Sequence, residues 1–118
     1  MSDRSSAAEA LSQPTPVDVS LMEEGGVYLF RTADGMALYR YDLDRDGQSH
    51  CLEACRERWP PFIASAAATS PVGHWQILAK GDARQWSYKG APLYTYALDQ
   101  PGTQRGDGIA GAWHVILP

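Results

Sequence analysis

The 118-residue chain contains only two cysteines, no cluster of lysine or arginine, and no long apolar run. A membrane-spanning helix needs about 18 consecutive apolar residues, so the sequence predicts none. The formal net charge of −4 and the scattered cations provide no basic surface, which excludes nucleic acid as an expected partner. Residues 1–6 lack the apolar core of a secretory signal, so the chain as written is expected to be soluble and leaderless.

Glycine and proline are abundant instead, with 11 and 8 residues, and they favour turns over long helices. A chain of this length supports one domain. Residues 1–19, rich in Ser, Ala and Pro, are predicted to form a flexible tail, and residues 20–118 the single domain. Short runs of β-forming residues predict strands at 27–30, 38–41, 74–78, 85–88, 93–96 and 112–117, and a short helix is predicted at 51–58.

One ten-residue stretch occurs twice. GMALYRYDLD at 35–44 returns as GAPLYTYALD at 90–99, with the glycine, both leucines, both tyrosines and the final aspartate in register. A shift of about 55 residues in so short a chain indicates two copies of one structural unit, predicted at about 24–64 and 72–118. The predicted fold class is therefore mostly β, an antiparallel sheet domain built from two related repeats with one short helix after the first repeat motif.

These residues resemble the secreted repeat family of bacterial lipoproteins, whose mark is a Tyr-x4-Asp motif in tandem. Tyr39 to Asp44 and Tyr94 to Asp99 both fit this motif. Further matches are Trp59-Pro60-Pro61 in the first copy, and Gly106-Asp107-Gly108 and Trp113-His114-Val115 in the second. The resemblance implies a cell-envelope setting, periplasmic or extracellular. The family has no agreed biochemical activity, so the resemblance supplies no catalytic mechanism.

Cys51 and Cys55 are the two cysteines of the chain. Four residues of separation in a tight turn or short helix can bring their Cβ atoms near bonding distance. The family setting favours a disulfide over two buried thiols in a reducing compartment. A redox partner that uses this pair is the third-ranked function, because the Cys-x2-Cys motif of thioredoxin-like enzymes is missing.

An acidic stretch follows the first tyrosine pair. Asp42, Asp44, Asp46 and Gly47, with Glu53 at the twelfth place, have the spacing of a calcium loop. However, a predicted strand precedes the stretch where an EF-hand has a helix, and the second copy lacks these acids. We therefore favour a solvated acidic turn and no cofactor, and keep a divalent-metal (calcium) binding module as the alternative function.

Aromatic residues are the most concentrated feature, including all four tryptophans and five of the six tyrosines. Such rings can line a groove for a glycan or anchor a protein partner, or they can fill the core of a small β domain. We favour the core, in which tyrosine hydroxyls bond to the repeated aspartates as a structural clasp. The residues of this motif are Tyr39, Tyr41, Asp44, Tyr94, Tyr96 and Asp99. The sequence thus predicts a non-catalytic domain that binds or scaffolds an unidentified protein or small ligand.

Overall fold

The computed structural model describes residues 14–44, 51, 54–68, 71–80 and 83–118. Within these ranges the chain forms two antiparallel sheets and one short α-helix, so the predicted mostly-β class is confirmed. The elements in chain order are β1 (Val19–Glu24), β2 (Val27–Thr32), β3 (Tyr39–Tyr41), α1 (Ala54–Arg58), β4 (Trp75–Lys80), β5 (Ala83–Tyr88), β6 (Ala91–Tyr94), a 3-10 turn (Ile109–Gly111) and β7 (Trp113–Val115). Strands β1 and β2 form one sheet, and the other has the order β4-β5-β6-β3-β7.

Strand β1 is the element that the sequence analysis does not predict. It begins at Val19, at the end of the predicted tail, and the preceding residue is already bonded to the second half of the chain. The Asp18 carboxylate accepts hydrogen bonds from the Ser65 backbone N (2.8 Å) and from Nε1 of Trp86 (2.9 Å). Residues 1–13 of the predicted tail lie outside the described residues.

The two repeats are related by an approximate two-fold axis between β3 and β6. Tyr39 lies directly opposite its own counterpart, Tyr94, in this antiparallel pair, and such a pair is symmetric about that point. Matching backbone hydrogen bonds join Phe62 N to Leu93 O (2.9 Å) and Ile116 N to Leu38 O (3.0 Å), and also Ala97 N to Arg58 O (2.9 Å) and Asp42 N to Ala112 O (2.8 Å). The symmetry therefore extends well beyond the repeated ten residues.

The outer hairpins obey the same symmetry. β1 and β2 pair along their whole length, from Val19 opposite Thr32 to Glu24 opposite Val27. β4 and β5 also pair along their whole length, beginning with Trp75 opposite Tyr88. Each hairpin joins two strands of six residues. Each repeat is thus a hairpin followed by a central strand.

Alternation along the central strands produces two separate cores. Leu38 and Leu93 face the first core, whereas Tyr39 and Tyr94 face the second. The first core contains Val19, Phe30, Leu38, Phe62, Ala64, Ala68, Trp75, Trp86, Leu93 and Ile116. The second, which we call the aromatic core, contains Ala37, Tyr39, Cys51, Trp59, Tyr94, Tyr96 and Trp113. Both faces of β3 and β6 are therefore covered.

A buried arginine ties the first hairpin to the second repeat. Arg31 is 2% exposed, and its Nε and Nη2 donate to the two carboxylate oxygens of Glu24 (2.5 and 2.8 Å). Its Nη1 donates to the carbonyl oxygens of Gly35 (3.2 Å) and Thr103 (3.3 Å). The bonded guanidinium of Arg31 lowers the pKa of the Glu24 carboxyl.

We expect Glu24→Gln to lower the free energy of unfolding at pH 7 by about 2 kcal/mol, because it removes the carboxylate that is hydrogen-bonded to the buried Arg31 guanidinium. A carboxyl whose pKa is lowered by folding stabilises the protein above its unfolded pKa, about 4.3, and that stabilisation is lost as pH falls through the folded value. Urea unfolding at pH 7 and pH 3 should thus show a smaller difference between variant and wild type in acid. An equal difference at both pH values would contradict this origin of the effect.

Candidate functional site

The tyrosine and aspartate of the two Tyr-x4-Asp motifs, which we call the signature residues, form two hydrogen bonds. Both bonds cross between the repeats. The Tyr39 hydroxyl donates to Oδ2 of Asp99 (2.6 Å), and the Tyr94 hydroxyl donates to Oδ2 of Asp44 (2.6 Å). We call these bonds the clasps. Each tyrosine is thus bonded to the aspartate of the other copy, and not to the aspartate five residues further along its own chain segment.

Local structure explains this exchange. After each central strand the chain makes a tight turn, in which Asp44 N bonds to Tyr41 O (3.1 Å) and Asp99 N bonds to Tyr96 O (3.0 Å). Each turn brings its aspartate back toward the sheet. Because β3 and β6 are neighbours and antiparallel, the nearest tyrosine belongs to the other strand.

The clasp at Asp99 is the more deeply buried of the two. Tyr39 is fully buried and Asp99 is 8% exposed. Oδ1 of Asp99 also accepts hydrogen bonds from Thr103 Oγ1 (3.0 Å) and from Arg105 N (2.7 Å), while Gly106 N donates to the Tyr39 hydroxyl (3.1 Å). Burial, followed by the bond to Asp99, raises the pKa of Tyr39 well above its ordinary value. The phenol is therefore held in its neutral, donating form.

Four aromatic rings stack across the two-fold axis in a symmetric order. Tyr41 stacks on Trp113 (ring centroids 4.2 Å apart, 13° between planes) and Trp113 on Trp59 (3.8 Å, 1°), while Tyr96 packs on Trp59 with a tilted ring (4.4 Å, 34°). The two tryptophans are 4% and 5% exposed, so their faces contact other rings and not solvent. This is the arrangement of a packed core, in which each repeat contributes one tyrosine and one tryptophan.

The predicted disulfide between Cys51 and Cys55 is confirmed, with an S–S distance of 2.10 Å. Cys51 is fully buried in the aromatic core. The carbonyl oxygen of Cys55 accepts a hydrogen bond from Trp59 N (2.8 Å). The bridge therefore joins α1, which contains Cys55, to the aromatic core, which contains Cys51.

Reduction of this bond should lower the free energy of unfolding by about 2 kcal/mol, because a loop this short gains little entropy when it opens. The measurement is urea unfolding with and without a phosphine reductant, accompanied by intact mass. The double variant Cys51→Ala, Cys55→Ala is the control and should not respond to the reductant. If native and reduced proteins have equal masses, the disulfide is absent from the protein.

Two of the four proposed calcium ligands are described, and both carry other hydrogen bonds. Asp42 accepts from Arg40 Nη1 (2.6 Å) and lies 2.9 Å from His114 Nε2, and Asp44 accepts from Tyr94. The bond to His114, with Arg40 nearby, lowers the pKa of the Asp42 carboxyl. Asp46 and Glu53 lie outside the described residues. Among the residues that the structure describes, no group of three or more His, Cys, Asp or Glu is placed to hold a metal ion.

Fold and clasps together define a two-repeat β domain whose halves hold each other through tandem Tyr-x4-Asp motifs. A model of the family Lipoprotein_15, described as a secreted repeat of unknown function, matches residues 29–63 and 77–116. The matches cover more than half of the chain, one in each repeat, and the chain belongs to this family. The family description names secretion, consistent with an extracellular or envelope setting, and no catalytic activity.

Other comparisons return no relative. None of the curated proteins matches the chain. No solved structure matches it either. Across the described residues, there is no helix with the length and apolar character needed to cross a membrane.

Proposed function

We propose that this chain is a non-catalytic binding or scaffolding domain that acts in the periplasm or outside the cell. The pair of clasps is the observation that supports it. The tyrosine of each repeat bonds the aspartate of the other repeat inside the fold, so these four residues are engaged in holding the two halves together. The disulfide fits an oxidising compartment.

The competing functions find less support in the described residues. Asp42 already accepts from Arg40 and Asp44 from Tyr94, so a calcium ion would compete with these bonds for the same carboxylates. A redox partner would need an accessible disulfide; Cys51 is fully buried, which leaves only the partly buried Cys55 for attack. We therefore place both functions below the scaffold.

Elemental analysis combined with thermal melting tests this proposal. The purified protein should carry no stoichiometric metal, and its melting temperature should be the same in millimolar-range calcium and in chelator. The variant Asp46→Asn serves as the control, because Asp46 belongs to the candidate calcium loop and to neither clasp. A calcium-dependent rise in melting temperature that is present in the wild type and absent from this variant would replace the scaffold with the metal-binding function.

A further inference from the structure

A hollow of about 360 Å³ opens at the rim of the first core, beside the turn between β5 and β6. Two cations, Arg40 and Lys89, line it together with the ring of Tyr88. The rest of its lining is Ala91, Val115, Ile116 and Leu117. None of the described residues that line it is acidic, although the chain as a whole has a formal net charge of −4. The hollow thus combines an apolar wall with two cations, of which Arg40 also forms an ion pair with Asp42 outside the lining (2.6 Å).

The backbone at Lys89 has a conformation that residues other than glycine seldom adopt. Lys89 and Gly90 form the two-residue turn with φ values of 51° and 86°, both left-handed. Asn, Asp and Gly suit the first of these positions, and the turn between β1 and β2 uses Gly25 and Gly26. Lysine there is strained, and such strain is typical of functional positions. The Lys89 ammonium lies 5.3 Å from the centroid of the Tyr88 ring, where a cation–π contact holds it.

The other repeat shows that the shared scaffold does not require these charges. The counterpart of Arg40 in the repeated stretch is Thr95. Lys89 N bonds to His74 O (3.0 Å), and the matching bond in the first repeat, to Asp18 O (3.2 Å), comes from Ala33. The equivalent positions of Arg40 and Lys89 in the other repeat therefore carry no cation, so the pair is a feature of one side only.

We propose that this hollow binds a small amphipathic carboxylate. The anion lies between Arg40 and Lys89, and the apolar part of the ligand lies along Val115 and Leu117. Arg40 gives one N–H to Asp42 and has further donors in its guanidinium fork. Charge-assisted hydrogen bonds fix the carboxylate, and burial of the tail on an apolar wall adds affinity. This inference deepens the binding role proposed above and rests on it.

A neighbouring hollow of about 550 Å³ makes this assignment more specific. It shares Lys89 and Ala91 with the first hollow and is also lined by Asp44, Gln76 and Ser87 among others. A carboxylate in its wall would repel an anion, and its lining carries fewer apolar side chains. The anion is therefore assigned to the first hollow alone.

The test is a titration of the full chain with decanoate below its micellar concentration. Calorimetry and amide chemical shifts measure the binding. Decanol and decyltrimethylammonium are the matched neutral and cationic probes. We expect saturable binding of decanoate, with shifts concentrated at 88–91 and 115–117, and no comparable binding of the other two. Equal binding of decanol, or shifts spread over the whole surface, would overturn the proposal.

Three variants with the same change of charge complete the experiment. Lys89→Asn keeps a residue suited to the turn. Lys89→Asn and Arg40→Gln, each as a single variant, should weaken decanoate binding by at least about tenfold. Arg105→Gln removes an exposed cation outside the hollow and should bind as the wild type does. Equal weakening in all three would mean non-specific attraction and would refute the site. Because the clasps and the melting behaviour are measured separately, failure of decanoate binding would leave the scaffold proposal standing.

Discussion

Trp59→Ala is expected to lower the free energy of unfolding by about 3–5 kcal/mol, the range for removal of a large buried aromatic side chain. The Trp59 ring lies parallel to that of Trp113 at 3.8 Å and also packs on Tyr96. Its removal opens a cavity on the two-fold axis that neither repeat can fill alone. Denaturant unfolding followed by circular dichroism measures the effect without relying on tryptophan fluorescence.

Symmetry supplies the control for this variant. Trp113→Ala removes the two-fold mate, which is equally buried, and should destabilise by a similar amount. Trp59→Phe keeps a ring in the stack and should have a smaller effect than Trp59→Ala. If Trp59→Ala unfolds at the same denaturant concentration as the wild type, the aromatic core does not hold the repeats together.

Asp99→Ala should lower the free energy of unfolding by about 3 kcal/mol, because it leaves several hydrogen-bond donors in the fold without their acceptor. The side chain accepts hydrogen bonds from Tyr39, Thr103 and the backbone N of Arg105. Asp44→Ala, at the equivalent but half-buried position, should have the smaller effect, about 1 kcal/mol. Thermal and urea unfolding of the two variants measure this difference directly.

A double-mutant cycle isolates the clasp itself. Tyr39→Phe removes only the donated hydroxyl, and combined with Asp99→Ala it should show a coupling energy of about 1 kcal/mol or more. Additive effects would mean that the Tyr39–Asp99 bond contributes little. Unchanged melting of Asp99→Ala together with loss of decanoate binding would instead make Asp99 a binding residue and reverse our assignment.

The repeat and its signature residues can be identified from the sequence because identical residues recur in register. The pairing of each tyrosine with its aspartate cannot be identified in the same way. The spacing within Tyr-x4-Asp describes one copy, whereas the bonds depend on the pairing of β3 with β6, which are far apart in the chain. The residues of the clasps are therefore evident in the sequence, whereas their exchange between the repeats is not.

Other omissions have similar physical causes. Strand β1 has mixed burial and an exposed Met22, so its hydrophobic alternation is weak. Arg31 is an arginine within an apolar strand, and its burial depends on contacts with Glu24 of the preceding strand and with Thr103, far along the chain. The segment containing Gly106 is glycine-rich and indicates only a turn. In the fold, an added Cβ at Gly106 would lie 2.6 Å from Cη2 of Trp59, so the aromatic core needs glycine there.

The sequence by itself determined that this chain is a mostly-β domain of two related halves, because hydrophobic alternation, turn residues and a repeated motif are local properties. It also determined the family, through ordered matches in both copies. The tertiary structure decided that the halves interlock through exchanged clasps and a shared ring stack. It also decided that Arg40 and Lys89 share one hollow. These features depend on contacts between residues distant in the chain, which only the folded sheet brings together.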